Sequence, residues 1–331
     1  MSKRLKTTLT LLVSILLAIA LIAYSLSGID FEQTIESLRQ ANYFWICVSV
    51  TLGIMAYWFR SQRWRLLLEP MGYQVTAKRS FISVCMNYFW NLLIPRSGEI
   101  ARCTSLYALD KTPVDKSFGT VISERVIDML CLMFIAFLAV VTNIDLIKKL
   151  MSEVLLTRDK AGDDGNSLKL YILGGTITLI IILLFAFRKK IKKLSFYPKI
   201  REFIYGIQQG LKTIFQLKRK KEFIVYTLLI WIFYFFMTYV VVFALPETEH
   251  LGIADGFYLL LVGGIGMVIP ASGGIGAYHS AMRLGFIVLG FSKEVGVTFA
   301  FLVHTPHTLI ALGLGLISFI LAYFDKKKVQ S

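Results

Sequence analysis

The sequence predicts an all-α polytopic membrane protein, with about six full spans plus two re-entrant helical hairpins arranged as an inverted repeat. Three observations predict it. Of 331 residues, 56% are hydrophobic and only 17% charged, too apolar for a soluble globular domain. The basic residues, which give a formal net charge of +15, gather at the ends of apolar runs rather than in a nucleic-acid-binding stripe. Two short Pro-x-Ser-Gly segments, far apart in the chain, interrupt apolar stretches in matching ways.

Apolar runs occupy residues 7–27, 43–59, 80–95, 118–142, 168–187, 222–245, 255–270, 275–291 and 296–323. A continuous helix satisfies its own backbone in lipid, and roughly 17 to 25 apolar residues cross the hydrocarbon. The runs at 80–95, 255–270 and 275–291 are shorter and broken by Pro or Gly. The basic start and the run at 7–27 also have the form of a secretory signal, but the run is long enough to span and many spans follow, so a retained first helix is the simpler account.

The Lys and Arg bias sets the orientation, with both termini cytoplasmic in a cell (inner) membrane. The inside segments hold Lys3, Arg4 and Lys6, then Arg60, Arg63, Arg65, Lys78 and Arg79, then the stretch from Arg188 to Lys221, then Lys326 to Lys328. The outside segments are acidic, with Asp30, Glu32 and Glu36, a loop at 143–167 carrying Asp145, Glu153, Asp159, Asp163 and Asp164, and finally Glu247, Glu249 and Asp255. On this assignment residues 80–117 must start and finish inside, and residues 255–291 must start and finish outside. Each half therefore holds one hairpin, entered from the opposite face.

The turns of the hairpins match. Ile94-Pro95-Arg96-Ser97-Gly98-Glu99-Ile100-Ala101 aligns with Ile269-Pro270-Ala271-Ser272-Gly273-Gly274-Ile275-Gly276, with identity at five of eight positions. Combined with opposite faces, this reads as an inverted repeat in one integral membrane domain: a first half at 1–145, a loop, span and basic amphipathic linker at 146–221, and a second half at 222–331. Within the linker, Ile200, Phe203, Ile204, Ile207 and Leu211 share a helical face flanked by bases, the pattern of an interfacial helix near anionic lipid. Positive-inside anchoring without lipid specificity accounts for those bases equally well.

Non-helical backbone at membrane depth is tolerated only where protein buries it or it lines a wet cavity. Pro95 and Pro270 are expected to end descending half-helices, and the ascending ones are expected to begin near Glu99 and Gly274, aiming N-terminal N–H groups at a phosphate or carboxylate. Near the first turn lie Arg96, Ser97, Gly98, Glu99 and Arg102, and in the next span Glu124, Arg125 and Asp128. Each charge in mid-bilayer costs about 2.5–3.5 kcal/mol on translocon scales, so these should face a cavity or pair with one another. Two readings stand: arginines contacting a lipid phosphate, or an ion-pair network bracing the hairpin. Near the second turn lie Ser272, Gly273, Gly274, His279 and Arg283, with His304 and His307 in the last span. The His-x-x-His spacing lacks an acidic or Cys partner, so no metal is expected, and neither is a cofactor. The four cysteines form no Cys-x-x-Cys pair and read as small buried hydrophobes. The Gly263-Gly264-Ile265-Gly266 run reads as close helix packing.

At NLLIPRSGEIAR followed by SERVIDML, and at IPASGGIGAYHSAM followed by a long final span, the sequence resembles the membrane domain of lysylphosphatidylglycerol synthases over nearly its whole length. The matching positions are Pro95, Arg96, Gly98, Glu99, Arg102, Glu124, Arg125, Asp128, Pro270, Gly273, Gly274 and Gly276. In that family the domain also occurs alone, in flippase-like proteins, and is associated with moving an aminoacylated or otherwise modified lipid between leaflets. The family's second turn is commonly followed by an acidic residue where this chain has Tyr278-His279, and its last span often carries Arg where this chain has His304 and His307. The resemblance therefore leaves the substrate open. It implies a lipid or lipid-linked-substrate translocase binding an anionic headgroup; with no acyltransferase-like domain in the sequence the chain is not expected to aminoacylate a lipid itself, and with no recognisable catalytic motif it is not expected to be an enzyme. The alternatives are an intramembrane enzyme or enzyme subunit using Glu99, Glu124 or Asp128 on a phospholipid or polyprenyl-linked headgroup, and a non-catalytic subunit. Expected partners are membrane lipids, not nucleic acid, together with a second copy of the chain or a lipid-modifying enzyme.

Overall fold

A computed structural model describes residues 3–156 and 217–330, and the described residues are helical with no strand. The expected span at 168–187, most of the amphipathic linker and the acidic residues Asp159, Asp163 and Asp164 lie outside the described residues. Eleven described α-helices are numbered here in chain order: α1 (Lys3–Leu26), α2 (Phe31–Gln40), α3 (Tyr43–Leu68), α4 (Ala77–Leu93), α5 (Gly98–Asp110), α6 (Val114–Thr142), α7 (Ile144–Leu156), α8 (Lys220–Tyr239), α9 (Ile253–Val268), α10 (Ala277–Leu289) and α11 (Lys293–Gln330).

Among the described residues, four helical segments are long and apolar enough to cross a membrane: Tyr43–Met71, Val114–Thr142, Lys220–Ala244 and Lys293–Asp325. A fifth follows if α1 and α2, bent by 91° at residues 27–30, count as one span. Surface and interior are reversed relative to a soluble protein. Met133, Phe134 and Phe137 on α6 face outward, while Arg60, Arg63, Arg102 and Glu124 are buried. That reversal is what lipid as solvent imposes.

Local chemistry sets the helix ends. Asp30, Asn42 and Thr76 cap α2, α3 and α4 by accepting backbone N–H bonds from Gln33, Phe44 and Arg79 at 3.1, 3.1 and 3.3 Å. Lys111, with φ 58°, ends α5, and Gly290, with φ 96°, ends α10.

Contacts sort these ends into two groups. At one end of the molecule, Arg79 at the start of α4 pairs with Asp110 at the end of α5 (2.5 Å) and with Asp325 near the end of α11 (3.1 Å). Arg219 before α8 pairs with Glu69 after α3 at 3.0 Å. At the other end, Asn42 N–H donates to Ala244 C=O (2.8 Å), Asn143 Nδ2 donates to Ala254 C=O (2.7 Å), and the His250 ring stacks on Phe291 with centroids 5.7 Å apart. Both ends of the α4–α5 hairpin therefore lie at one end of the molecule, and both ends of the α9–α10 hairpin at the other.

Each hairpin is packed into its own apolar cluster. From the first hairpin, Val84, Cys103 and Leu106 cluster with Trp64, Leu68 and Val121; from the second, Tyr258, Met282 and Phe286 cluster with Val241, Phe299 and Leu302. The glycine run of α9 permits close approach to α10, as expected. A Cβ at Gly263 would come within 2.7 Å of Met282 Cε, and one at Gly266 within 2.8 Å of Ala281 Cβ.

Candidate functional site

The first turn is made by Ile94 to Ser97. Ile94 is extended, as a residue before proline must be, and Arg96 takes a left-handed conformation with φ 63°. Ser97 Oγ donates to Ile94 C=O at 2.8 Å and Trp90 C=O at 3.1 Å, while Asn91 Oδ1 accepts the Gly98 N–H at 2.8 Å. Gly98 is required here, because any Cβ would overlap Asn87 C=O. Side chains thus satisfy the backbone freed by the break.

The second turn differs from expectation at one point. Its ascending helix begins at Ala277, not near Gly274, because Gly273, Gly274 and Gly276 all have positive φ (61°, 76° and 79°) and continue the unwound segment. His304 Nε2 lies 2.9 Å from Gly273 C=O, and Thr308 Oγ1 lies 3.3 Å from His304 Nδ1. A carbonyl only accepts, so His304 carries its proton on Nε2 and Thr308 donates to Nδ1. Helix α1 crosses above this turn: a Cβ at Gly276 would come within 2.6 Å of Ile22 N and 2.8 Å of Ala18 C=O.

The two turns meet. A Cβ on Gly273 would come within 2.8 Å of Leu92 Cδ2 from the first hairpin. Beside that contact is a cavity of about 470 Å³, within the roughly 300–1,000 Å³ of small-molecule sites. Its polar residues include Tyr57, Tyr88, Asn91, Arg125, Tyr234 and His304, and its apolar side is formed largely by α9 through Leu259, Leu260, Gly263, Gly264 and Met267. Tyr57 stacks on Tyr88 with centroids 3.8 Å apart, and the Tyr88 and Tyr234 hydroxyls are 3.0 Å apart. Arg60 Nη1 donates to both hydroxyls, at 3.3 and 3.0 Å.

Five of the six charged residues near the first turn are paired. Arg102 and Glu124 are fully buried and form an ion pair, with the Arg102 guanidinium 4.1 Å from the Trp64 ring centroid. Asp128 accepts from Arg60 at 2.8 Å and Arg63 at 2.7 Å, and Arg63 Nε also lies 3.6 Å from Glu124. Glu99 and Arg125 pair at 3.1 Å but stay partly exposed. Arg96 is exposed at the tip of the turn and has no ion-pair partner among the described residues.

Other residues singled out in the sequence scatter. Ser272 is buried at the second turn with no partner for Oγ, and His279 is buried with neither ring nitrogen paired. His279 lies edge-on to His304, centroids 5.2 Å apart. His307 accepts from or donates to Ser49 Oγ at 3.0 Å. Arg283 is drawn away from the turn: Nη1 donates to Tyr24 C=O (2.6 Å) and Ser25 C=O (3.2 Å), capping α1. Sequence reasoning missed Arg60 and Arg63 as site residues and treated them as topology signals. The signal was present in their spacing of three, which places both on one face of a long apolar helix opposite Glu124 and Asp128. The tyrosines carried no such signal, since aromatic residues are frequent throughout the chain.

The match to known proteins is extensive. The family model described as the lysylphosphatidylglycerol synthase TM region covers residues 11–315. A UPF0104 membrane protein of Methanocaldococcus jannaschii is 24% identical over 353 aligned positions, 98% of this chain and 97% of that protein. A UPF0104 membrane protein of Methanothermobacter thermautotrophicus is 22% identical over 284 positions, 78% of this chain and 80% of that protein. No solved structure matches the chain. The chain is a multi-pass membrane protein and belongs to the lysylphosphatidylglycerol synthase TM region family.

Proposed function

We propose that the protein moves a lipid or lipid-linked substrate between leaflets, taking its anionic headgroup into the cavity beside the two turns. The observation that carries this reading is the meeting of two interrupted hairpins, whose ends lie at opposite ends of the molecule, against a cavity that carries Arg125. Broken segments that meet from opposite faces place a polar site near the midplane, which is where alternating access requires it. Arg125 stands eleven residues into α6, about 17 Å along the helix from its first residue, close to the middle of a roughly 30 Å hydrocarbon layer. In this reading α4–α5 and α9–α10 are re-entrant, the basic end of the molecule is cytoplasmic, and the two halves form an inverted repeat.

The charged residues divide into two roles. Arg102, Glu124, Asp128, Arg60 and Arg63 brace α3, α5 and α6, because their charges are spent on one another. Arg96, Arg125 and Glu99 remain for the substrate, together with Ser97, Gly98, Ser272, Gly273, Gly274, His279 and His304 around the turns. An intramembrane enzyme using Glu124 or Asp128 as acid or base is disfavoured by the same pairing, since each carboxylate is held by arginine.

Reconstitution into proteoliposomes with a lipid-scrambling readout tests the proposal. Arg125→Ala and Arg96→Ala should each lower the rate at least tenfold; full transport by both variants would overturn the site. Lipid mass spectrometry of a deletion strain separates the enzyme reading: an accumulated precursor without its modified product would favour catalysis over transport.

A further inference from the structure

Two ion pairs cross the seam between α5 and α6, one helical turn apart. Arg102 and Glu124 are both 0% exposed, and Arg102 lies against the Trp64 ring. The neighbouring pair, Glu99 and Arg125, has side chains 24% and 44% exposed, with Arg125 Nη2 3.1 Å from Glu99 Oε1. Arg125 lines the cavity, and so does the exposed Met267 of α9. The residues beside the pair face outward and are apolar: Ile100 follows Glu99, and Ile122 lies one turn before Arg125. An ion pair left partly exposed in an apolar belt sits where charge is costly unless a polar group joins it. Glu99 leaves much of the Arg125 side chain exposed, and the planar fork of a guanidinium suits a two-point anion.

We propose that the Glu99–Arg125 pair is an exchangeable closure at the side of the cavity, and that the group replacing Glu99 on Arg125 is the phosphate of a lipid headgroup. The inference rests on the transport reading and adds the chemistry that admits the substrate. When phosphate takes the guanidinium, α5 loses its outer tie to α6 but keeps the buried Arg102–Glu124 tie, so the mouth opens without detaching the hairpin. Arg60, Arg63 and Arg102 do not compete for the phosphate, because carboxylates already hold them. The carboxylates Glu124 and Asp128 are likewise engaged by arginine and so are not offered to a cationic headgroup.

The test compares full-length protein, Glu99→Gln, Arg125→Ala and the charge swap Glu99→Arg/Arg125→Glu. Proteoliposomes carry tail-labelled phosphatidylglycerol or a tail-labelled glucosyl diacylglycerol, which has a polar headgroup without phosphate. Wild type should move phosphatidylglycerol at least tenfold faster than the glycolipid, Glu99→Gln should lower the half-saturating phosphatidylglycerol several-fold, and the swap should lose at least tenfold while melting within a few degrees of wild type. Wild-type transport by the swap, or an unchanged half-saturation in Glu99→Gln, would overturn the exchange. If wild type moves neither lipid, the transport reading fails, and the exchange is read from thermal shifts in detergent. A shift with short-chain phosphatidylglycerol that grows in Glu99→Gln and vanishes in Arg125→Ala upholds it. No shift, or an equal shift with inorganic phosphate alone, overturns a lipid-headgroup site, the latter assigning it to free phosphate.

Discussion

Replacing Asp128 with Ala removes one carboxylate from two buried guanidiniums. Asp128 accepts from Arg60 at 2.8 Å and Arg63 at 2.7 Å, and the two arginine side chains are 5% and 0% exposed. After the change Arg60 keeps the Tyr88 and Tyr234 hydroxyls, which carry no charge, and Arg63 keeps Glu124 at 3.6 Å. The three guanidiniums of Arg60, Arg63 and Arg102 would then share the single carboxylate of Glu124, so the uncompensated positive charge rises from one to two and Arg60 loses its carboxylate contact. Removing one partner of a buried pair costs about 3–5 kcal/mol, and at about 2–4 °C per kcal/mol the melting midpoint should fall by roughly 6–20 °C. Thermal denaturation in detergent, followed by the loss of monodisperse protein, measures this. Asp128→Asn should cost less, because an amide oxygen still accepts one bond. The double change Arg63→Met/Asp128→Leu should also recover part of the loss, since it leaves Glu124 to Arg102 and only Arg60 without a carboxylate. A midpoint within 1 °C of wild type for Asp128→Ala would refute the claim that this network is dry and structural.

Other outcomes follow from other contacts. Gly98→Ala should destabilise by about 1–3 kcal/mol, because its Cβ meets the backbone of Asn87, whereas Gly72→Ala, with open space around it, should cost only the strain of its positive φ; comparison of melting midpoints checks both. His304→Gln can keep a donor toward Gly273 C=O and should retain most transport, while His304→Ala should lose it, as proteoliposome rates would reveal. In a cysteine-free background, single cysteines at Gly72 and Lys111 should label from the same side of the membrane and one at Glu249 from the other. Labelling of all three from one side would contradict opposed hairpins.

The sequence made the hairpins legible through physics that leaves few options. A proline followed by glycine inside an apolar run marks a broken helix, and the charge bias around residues 80–117 and 255–291 places the start and finish of each hairpin together, as the Arg79–Asp110 pair and the His250–Phe291 stack do in the structure. The six charged residues near the first turn were expected to pair or face a cavity, and five pair. What could not be read was the allocation of partners. Arg60 and Arg63 obey the positive-inside pattern and the ion-pair pattern at once, and only the rotation of α3 against α6 decides between them. Glu99 and Glu124 both belong to charged motifs, yet Glu124 is enclosed with Arg102 while Glu99 is partly exposed with Arg125, a difference set by how α5 and α6 are rotated against each other. The start of α10 moved for a similar reason: three positive-φ glycines unwind one more turn than proline alone would imply. Arg283 was placed at the second turn by proximity in sequence, but a long side chain reaches the nearest unsatisfied carbonyls, and those were at the end of α1.

That use of α1 has a consequence for how the protein is made. Ser280 Oγ donates to Leu21 C=O across 259 residues, and the unwound backbone around Gly276 lies directly beneath Ala18 and Ile22. A helix synthesised 259 residues earlier thus shelters the second turn and the start of α10. Until α10 docks against it, the glycines of the second turn have no roof, and their peptide groups face lipid or water. Docking of the α9–α10 hairpin therefore includes a long-range closure, and cleavage that removed α1 would leave an inserted chain in which that hairpin cannot settle.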